Sequence, residues 1–304
     1  MQTRMPRAPL STGTNDFTMS ALIDEHAIRA VFALPRPDGS FEGPVLDYLQ
    51  QAGARRPMLL LAFAPKAAGT YFRAAALKTL NGQLVRMVHA QGGRDGTIYL
   101  PNILLCCLDA EAPDTVTHVH MQALTANRNF IAAMGLKPVI MIRNLADMLA
   151  SFLDMLEQDP AACDEGLNCQ VPADFTAWER ARKLDFMIDI VAPWYASYFA
   201  TWKSFADDDP ESVCVLRYRA FCRAPVDVLW AALAHAGFVI SHNECEDALA
   251  AVWAERGAHR YNKGVEGRGK SYFTAAHFAR LRQMLAYYPQ LESWMPDLLD
   301  SEGA

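Results

Sequence analysis

The sequence predicts an α/β fold of three layers, a central parallel sheet flanked by helices, and three observations carry that expectation. Continuous apolar runs at 58–63, 138–142 and 213–216 have the pattern of strands buried on both faces of a parallel sheet. Segments of helical spacing alternate with these runs, as in strand–helix–strand units. The 304 residues, 52% hydrophobic and 20% charged, are enough to enclose a core without a disulfide or metal staple.

The elements follow in order. Residues 1–20, rich in Ser, Thr, Pro and Asn without periodicity, read as a flexible N-terminal arm, and 21–304 as a single domain, since no repeat or charged linker divides them. The run 58–63 ends at Pro65, and an Ala-rich stretch at 71–80 reads as a helix behind a tight loop. Residues 115–120 alternate as a strand and 123–134 suit a helix. A buried strand at 138–142 leads into a helix at 145–156, with Leu145, Met148, Leu149, Phe152 and Leu156 on its apolar stripe. The stretch 157–172 is acidic and irregular, 175–205 reads as a helix kinked at Pro193, and 213–216 is another buried strand. Helical spacing returns at Val226, Leu229, Trp230 and Leu233, and again at Phe278, Leu281, Leu285 and Tyr288.

Charge and composition exclude several roles. Lys and Arg number 28 against 34 Asp and Glu, a net charge of −6, which argues against a nucleic-acid partner gripped on a broad basic face. An anionic ligand must therefore meet a local cluster of cations. The 7 Cys, with no CxxC spacing, do not make a secreted disulfide framework and fit reduced, cytoplasmic thiols. No apolar run approaches the roughly 20 residues of a membrane span, and the polar N-terminus lacks a secretory apolar region.

Three segments gather chemistry at strand-to-helix junctions, where ligands of open α/β sheets bind. The first is the loop Ala64-Pro65-Lys66-Ala67-Ala68-Gly69-Thr70-Tyr71. Small residues let backbone N–H groups close on an anion, the following helix adds its positive end, and Lys66 and Thr70 add a charge and a hydroxyl donor. A Walker A loop is ruled out, because Lys66 precedes the glycine; an ordinary turn with a surface Lys is the alternative. The second is Arg143 at a strand end, with Asn144 as a helix N-cap and Asp147 and Ser151 on the same stripe. Arg143 and Ser151 can together hold a phosphate, or the group is a cap with a salt bridge. The third is the segment 260–270, just before a helix that Thr274 begins, with four cations and three glycines in eleven residues, which reads as a lid over an anion or as a solvated loop.

His118 and His120, two apart on a strand, share one face, and imidazole suits a general base near neutrality. Buried structural histidines and an HxH metal site are the alternatives, and no nearby third ligand supports a metal.

These motifs resemble those of the sulfotransferases that use 3′-phosphoadenosine 5′-phosphosulfate (PAPS). Lys66, Thr70 and Tyr71 match the Lys, second Thr and Trp of the family's PKSGTTW loop, with Gly69 displaced by one place. Arg143, Asn144, Asp147 and Ser151 fill its RNxxDxxxS motif. In RKGxxGDWKxxFT, Lys263, Gly264, Gly267, Lys270, Phe273 and Thr274 match, while Asn262 stands where the family has Arg and Arg268-Gly269 replaces Asp-Trp. The base in cytosolic members is a His of a KTHLP segment a little over twenty residues before the motif Arg; His120 precedes Arg143 by 23 residues and His118 by 25. Val215-Leu216-Arg217-Tyr218 resembles a strand ending in a Tyr that borders the adenine, and Trp194, Tyr195 and Trp202 resemble the family's SWYxHxxxW helix, read here as core.

The resemblance implies a P-loop-like sulfotransferase fold and sulfuryl transfer from PAPS to a hydroxyl or amine, leaving adenosine 3′,5′-bisphosphate, with no metal. It implies that Lys66, Ala67, Ala68, Gly69 and Thr70 hold the 5′-phosphosulfate, Lys66 also stabilising the departing oxygen. Arg143, Ser151, Asn262, Lys263, Gly264 and either Arg260 or Arg268 then hold the 3′-phosphate. Tyr71 and Tyr218 flank the base, and His120, or else His118, deprotonates the acceptor. That acceptor is a small molecule, lipid or saccharide, met by residues 82–113, 157–172 and those near Phe175. A nucleotide kinase of similar topology and a non-catalytic binder of adenosine bisphosphate are the rival readings.

Overall fold

In the computed structural model of the protein, the apolar runs pair into one parallel sheet. The structure describes residues 36, 40–41, 43–55, 57–88, 95–99, 102, 114–159, 169–255 and 266–299. Strands β1 (Met58–Leu61), β2 (Gln83–Leu84), β3 (Thr115–His118), β4 (Val139–Ile142) and β5 (Cys214–Arg217) stand in the order β2-β3-β1-β4-β5. Leu61 is in register with His118 on one side and Val139 on the other, and Ile142 with Arg217. Every residue of β1, β3 and β4 is buried, as in a sheet covered on both faces, although β3 alternates polar and apolar residues.

Helices α1 (Gly43–Arg55), α2 (Gly69–Leu80), α3 (Thr125–Ala133), α4 (Leu145–Gln158), α5 (Arg180–Phe186) and α6 (Ala192–Asp208) are followed by α7 (Tyr218–Arg223), α8 (Pro225–His235) and α9 (His242–Ala254). The chain continues into α10 (Gly269–Tyr272), α11 (Ala275–Leu285) and α12 (Met295–Leu298). Helix α2 packs with α8 and α9, and α4 with α6. The chain leaves β1 toward β3 and leaves β4 toward β5, so right-handed crossovers put these two helix groups on opposite faces. The direction of winding reverses between β1 and β4, which opens a crevice at their carboxyl ends.

Three expectations change. The strand expected over 115–120 ends at His118, so His120 stands just past the sheet. The helix expected over 175–205 is divided into a 3-10 turn at Phe175–Ala177, α5, a π-helical turn at Met187–Val191 and α6. Pro193 therefore lies in the first turn of α6, where its missing N–H removes no intrahelical bond, and the preceding π turn absorbs the break in the ladder. Thr274 is the N-cap of α11 rather than its first residue, in a capping box with His277. The N-terminal arm over 1–20 lies outside the described residues. Among the described residues no helix is long and apolar enough to cross a membrane, and Cys169, Cys214, Cys222 and Cys245 carry free thiols.

Candidate active site

The loop leaving β1 is held by its carbonyls. Tyr198 Oη donates to Ala62 O, His120 Nδ1 to Phe63 O at 2.7 Å, Tyr195 Oη to Pro65 O at 3.0 Å and Arg143 Nη1 to Lys66 O at 2.6 Å. The donors come from α6, from the segment after β3 and from the tip of β4, so three parts of the chain converge on one turn. Tyr195 and Tyr198 are fully buried, and burial pushes the Tyr198 phenol well above its usual range, which keeps it a donor. Lys66 and Ala68 both adopt left-handed backbone conformations, φ 65° and 66°. Such residues cost about 1–2 kcal/mol each and persist where surrounding contacts over-determine them; the four carbonyl bonds provide that determination.

The amides at the start of α2 are a further set of polar groups in the loop. The first turn of a helix has no intrahelical acceptors for its N–H groups, and α2 carries no acidic residue there and no side-chain cap. Thr70 and Tyr71 form that turn; Tyr71 Oη donates to Leu249 O of α9 at 3.4 Å. Lys66 Nζ lies 3.8 Å from Met155 Sδ of α4. Such an end attracts an anion.

Gly69 is required by contact rather than by φ. A Cβ there would stand 2.2 Å from Nε2 of His118, so the imidazole lies directly against the helix start. His118 and His120 pack edge to face with ring centres 5.0 Å apart, and both are buried. Because a carbonyl oxygen only accepts, the bond to Phe63 makes His120 Nδ1 the protonated nitrogen and leaves the lone pair on Nε2. No group of three or more His, Cys, Asp and Glu side chains is placed to hold a metal among the described residues.

On the other side of the loop stands Arg143, 8% exposed, its guanidinium carbon 4.1 Å from the centre of the Tyr218 ring. Its Nε is buried and finds no hydrogen-bond partner among the described residues, which leaves a charged donor for an anion from outside. Beside it opens a cavity of about 180 Å³ walled by Arg143, Asp147, Arg217, Tyr218, Arg219 and Glu266. Asn144 is the N-cap of α4, accepting from Asp147 N. Ser151 is buried two turns along the same helix.

Asp147 fixes the far wall. It is 1% exposed, and its two oxygens accept from Gly269 N at 2.7 Å and Gly267 N at 2.8 Å. A Cβ on Gly269 would lie 2.4 Å from Ala146 Cβ and 2.7 Å from Ala146 C, so the chain presses its backbone onto α4. Arg268 turns away from the cavity to Asp154 and Tyr272. Arg260, Asn262, Lys263 and Gly264 lie outside the described residues. The structure thus brings Lys66, Gly69, Thr70, Arg143, His118 and His120 around one loop and sets Tyr218 against Arg143. Sequence reasoning missed Tyr198 as an anchor and Arg217, Arg219 and Glu266 as cavity walls; Arg217 and Arg219, flanking Tyr218 at a strand end, were the available signal.

By sequence, no family model and no curated protein matches the chain. Its structure is similar to that of mouse sulfotransferase SULT7A1 complexed with PAP, at 14% identity over 81% of this chain and 90% of the other, with a TM-score of 0.54. It is also similar to retinol dehydratase in complex with androsterone and the inactive cofactor PAP, at 14% identity over 88% of this chain and 93% of the other, with a TM-score of 0.50. The parallel five-stranded sheet and its flanking helices match the fold of these sulfotransferase structures.

Proposed function

We propose that the protein is a PAPS-dependent sulfotransferase acting on a hydroxyl or amine of a small-molecule, lipid or saccharide acceptor. One observation carries the reading: Arg143 Nη1 bonds the Lys66 carbonyl at 2.6 Å, so the two motifs expected to hold opposite ends of a doubly phosphorylated nucleoside meet at one point. The residues fit such a ligand. The amides from Gly69 to Tyr71, with Lys66 and Thr70, suit the 5′-phosphosulfate; the orphaned Nε of Arg143, with Ser151, suits the 3′-phosphate; the Tyr218 ring suits the nucleoside.

When bound, PAPS supplies the sulfuryl group and is left as adenosine 3′,5′-bisphosphate. His120 Nε2 takes the proton of the acceptor, its ring held in the productive tautomer by Phe63 O. Lys66 offsets the negative charge that accumulates on the departing phosphate oxygen, and the α2 amides act on the same charge without reorganising. Helix α6 contributes indirectly, since Tyr195 and Tyr198 hold the loop on which Lys66 stands. We read 21–304 as one domain working in the cytoplasm.

The test is transfer of labelled sulfuryl groups from PAPS to a panel of phenols, sterols, lipid alcohols and saccharides. Wild-type protein labels an acceptor, and His120→Ala lowers turnover about 100-fold or more with adenosine bisphosphate affinity retained. Loss in His118→Ala with activity kept in His120→Ala moves the base to His118. Phosphoryl transfer from ATP, with none from PAPS, overturns the reading in favour of a kinase.

A further inference from the structure

Helix α6 grips two segments of the candidate site at once. Tyr195, Tyr198 and Trp202 are spaced by three and four residues, so they share one face of the helix. Tyr195 and Tyr198 bond Pro65 O and Ala62 O, on the loop that carries Lys66. The same helix also reaches the chain beyond β3. Trp202 Nε1 donates to Met121 O at 3.0 Å, Thr201 Oγ1 accepts from Ala123 N at 3.2 Å, and Ser197 Oγ donates to Gln122 Oε1 at 2.9 Å. One helix therefore holds both the loop ahead of α2 and the three residues that follow His120.

That second grip falls where the strand gives out. Strand β3 ends at His118 and Val119 N still bonds Leu61 O at 3.0 Å, but residues 120–123 have left the strand. The bond from His120 Nδ1 to Phe63 O aims the ring only as long as the backbone beneath it stays in place. Met121, the next residue, is fully buried, and so is Trp202; a hydrogen bond between such groups is strengthened by its dry surroundings. Tyr198 and Phe205 flank the indole with ring centres at 6.4 and 6.0 Å, which leaves it little freedom to follow a moving segment. From Tyr198 to Trp202 the helix rises about 6 Å, and this stiff span separates the points at which the Lys66 loop and the His120 segment are tied.

We propose that Trp202 is a positioning residue for the general base: its bond to Met121 O, with that of Thr201 to Ala123 N, holds the backbone of His120 so that Nε2 keeps its place relative to the Lys66 loop. This rests on the sulfotransferase reading with His120 as its base. Trp202 is fully buried, so it acts through the His120 segment and not on a ligand. A base displaced by about 1 Å can lower turnover on the order of 100-fold, while the loop and Arg143, which bind the nucleotide, are untouched.

The experiment is a double-variant cycle on the full chain, read by turnover of PAPS, by calorimetry with adenosine 3′,5′-bisphosphate and by NMR of the His120 imidazole. Trp202→Phe, which keeps an aromatic ring and loses the N–H, lowers kcat about 10-fold or more and changes bisphosphate affinity less than about 2-fold. Thr201→Val lowers kcat in the same direction by a smaller factor. In the His120→Ala background Trp202→Phe changes the residual kcat less than about 2-fold, because no base is left to misplace. The Nδ1 proton of His120 exchanges with solvent about 10-fold faster in Trp202→Phe, a readout that needs no acceptor. Equal losses of kcat in the two backgrounds, or Nδ1 exchange at the wild-type rate, overturns the assignment while wild-type turnover keeps the sulfotransferase reading. Wild-type protein that neither transfers sulfuryl groups nor binds the bisphosphate overturns that reading, and with it the role of Trp202 in catalysis, whatever the exchange rate shows.

Discussion

The imidazole of His118 fills the space that a side chain at position 69 would need: a Cβ on Gly69 would meet Nε2 at 2.2 Å and Cε1 at 2.5 Å. The loop and the strand beside it are therefore fitted to each other, glycine on one and histidine on the other. Gly69→Ala forces a buried ring to move and should destabilise the protein by about 1–3 kcal/mol, the usual cost of overpacking. Adding His118→Ala removes the obstacle, so the double variant should be more stable than the sum of the single changes predicts. Urea unfolding of the four proteins reads the coupling, and strict additivity would show that the two side chains do not share this space.

Arg143→Lys separates charge from geometry. Lysine keeps the positive charge but loses the planar fork that binds Lys66 O and stacks on Tyr218. Affinity for adenosine 3′,5′-bisphosphate should fall by about 10- to 100-fold, with a smaller fall in stability, measured by calorimetry and urea unfolding on the same samples. Equal affinity in the Lys variant would mean that only charge matters at this position.

Asp147 is a buried clamp. Its two oxygens hold the amides of Gly267 and Gly269, so Asp147→Ala strands two donors inside the protein and should cost about 2–4 kcal/mol. Asp147→Asn keeps one acceptor oxygen and should cost less. Equal losses in the two variants would show that the paired hydrogen bonds are not what Asp147 contributes.

Gly269 explains a departure from the motif that the sequence already shows. The motif that 262–274 resembles has Trp here, yet a Cβ would enter the backbone of Ala146, which cannot move without displacing α4. Gly269→Trp, the motif's own residue, should therefore yield insoluble or unfolded protein, and Gly269→Ala should cost about 1–3 kcal/mol. Soluble, native-like Gly269→Trp, judged by circular dichroism, would refute the close approach.

What the sequence revealed is local in character. The apolar runs of β1 and β4 sit in one strand each, and the cap of Asn144 on Asp147 N acts over three residues, so both were legible. The carbonyl grips were not, because Tyr198 and Ala62 lie 136 residues apart and nothing in either neighbourhood announces the other. The π turn before Pro193 was read as a kink because proline marks where a helical ladder fails, not how the chain absorbs it. Tyr195 and Trp202 were read as core, and they are fully buried, but their polar ends also bond Pro65 O and Met121 O. Burial is written in residue type, whereas the partner of a buried polar atom is set by the fold.

The most direct measurement of the central claim is calorimetric titration of the full chain with adenosine 3′,5′-bisphosphate and, separately, with ATP. A site in which Arg143 and the Lys66 loop grip opposite ends of one nucleoside predicts that the bisphosphate binds at least about 10-fold more tightly than ATP. ATP binding as tight as the bisphosphate, or tighter, would contradict it.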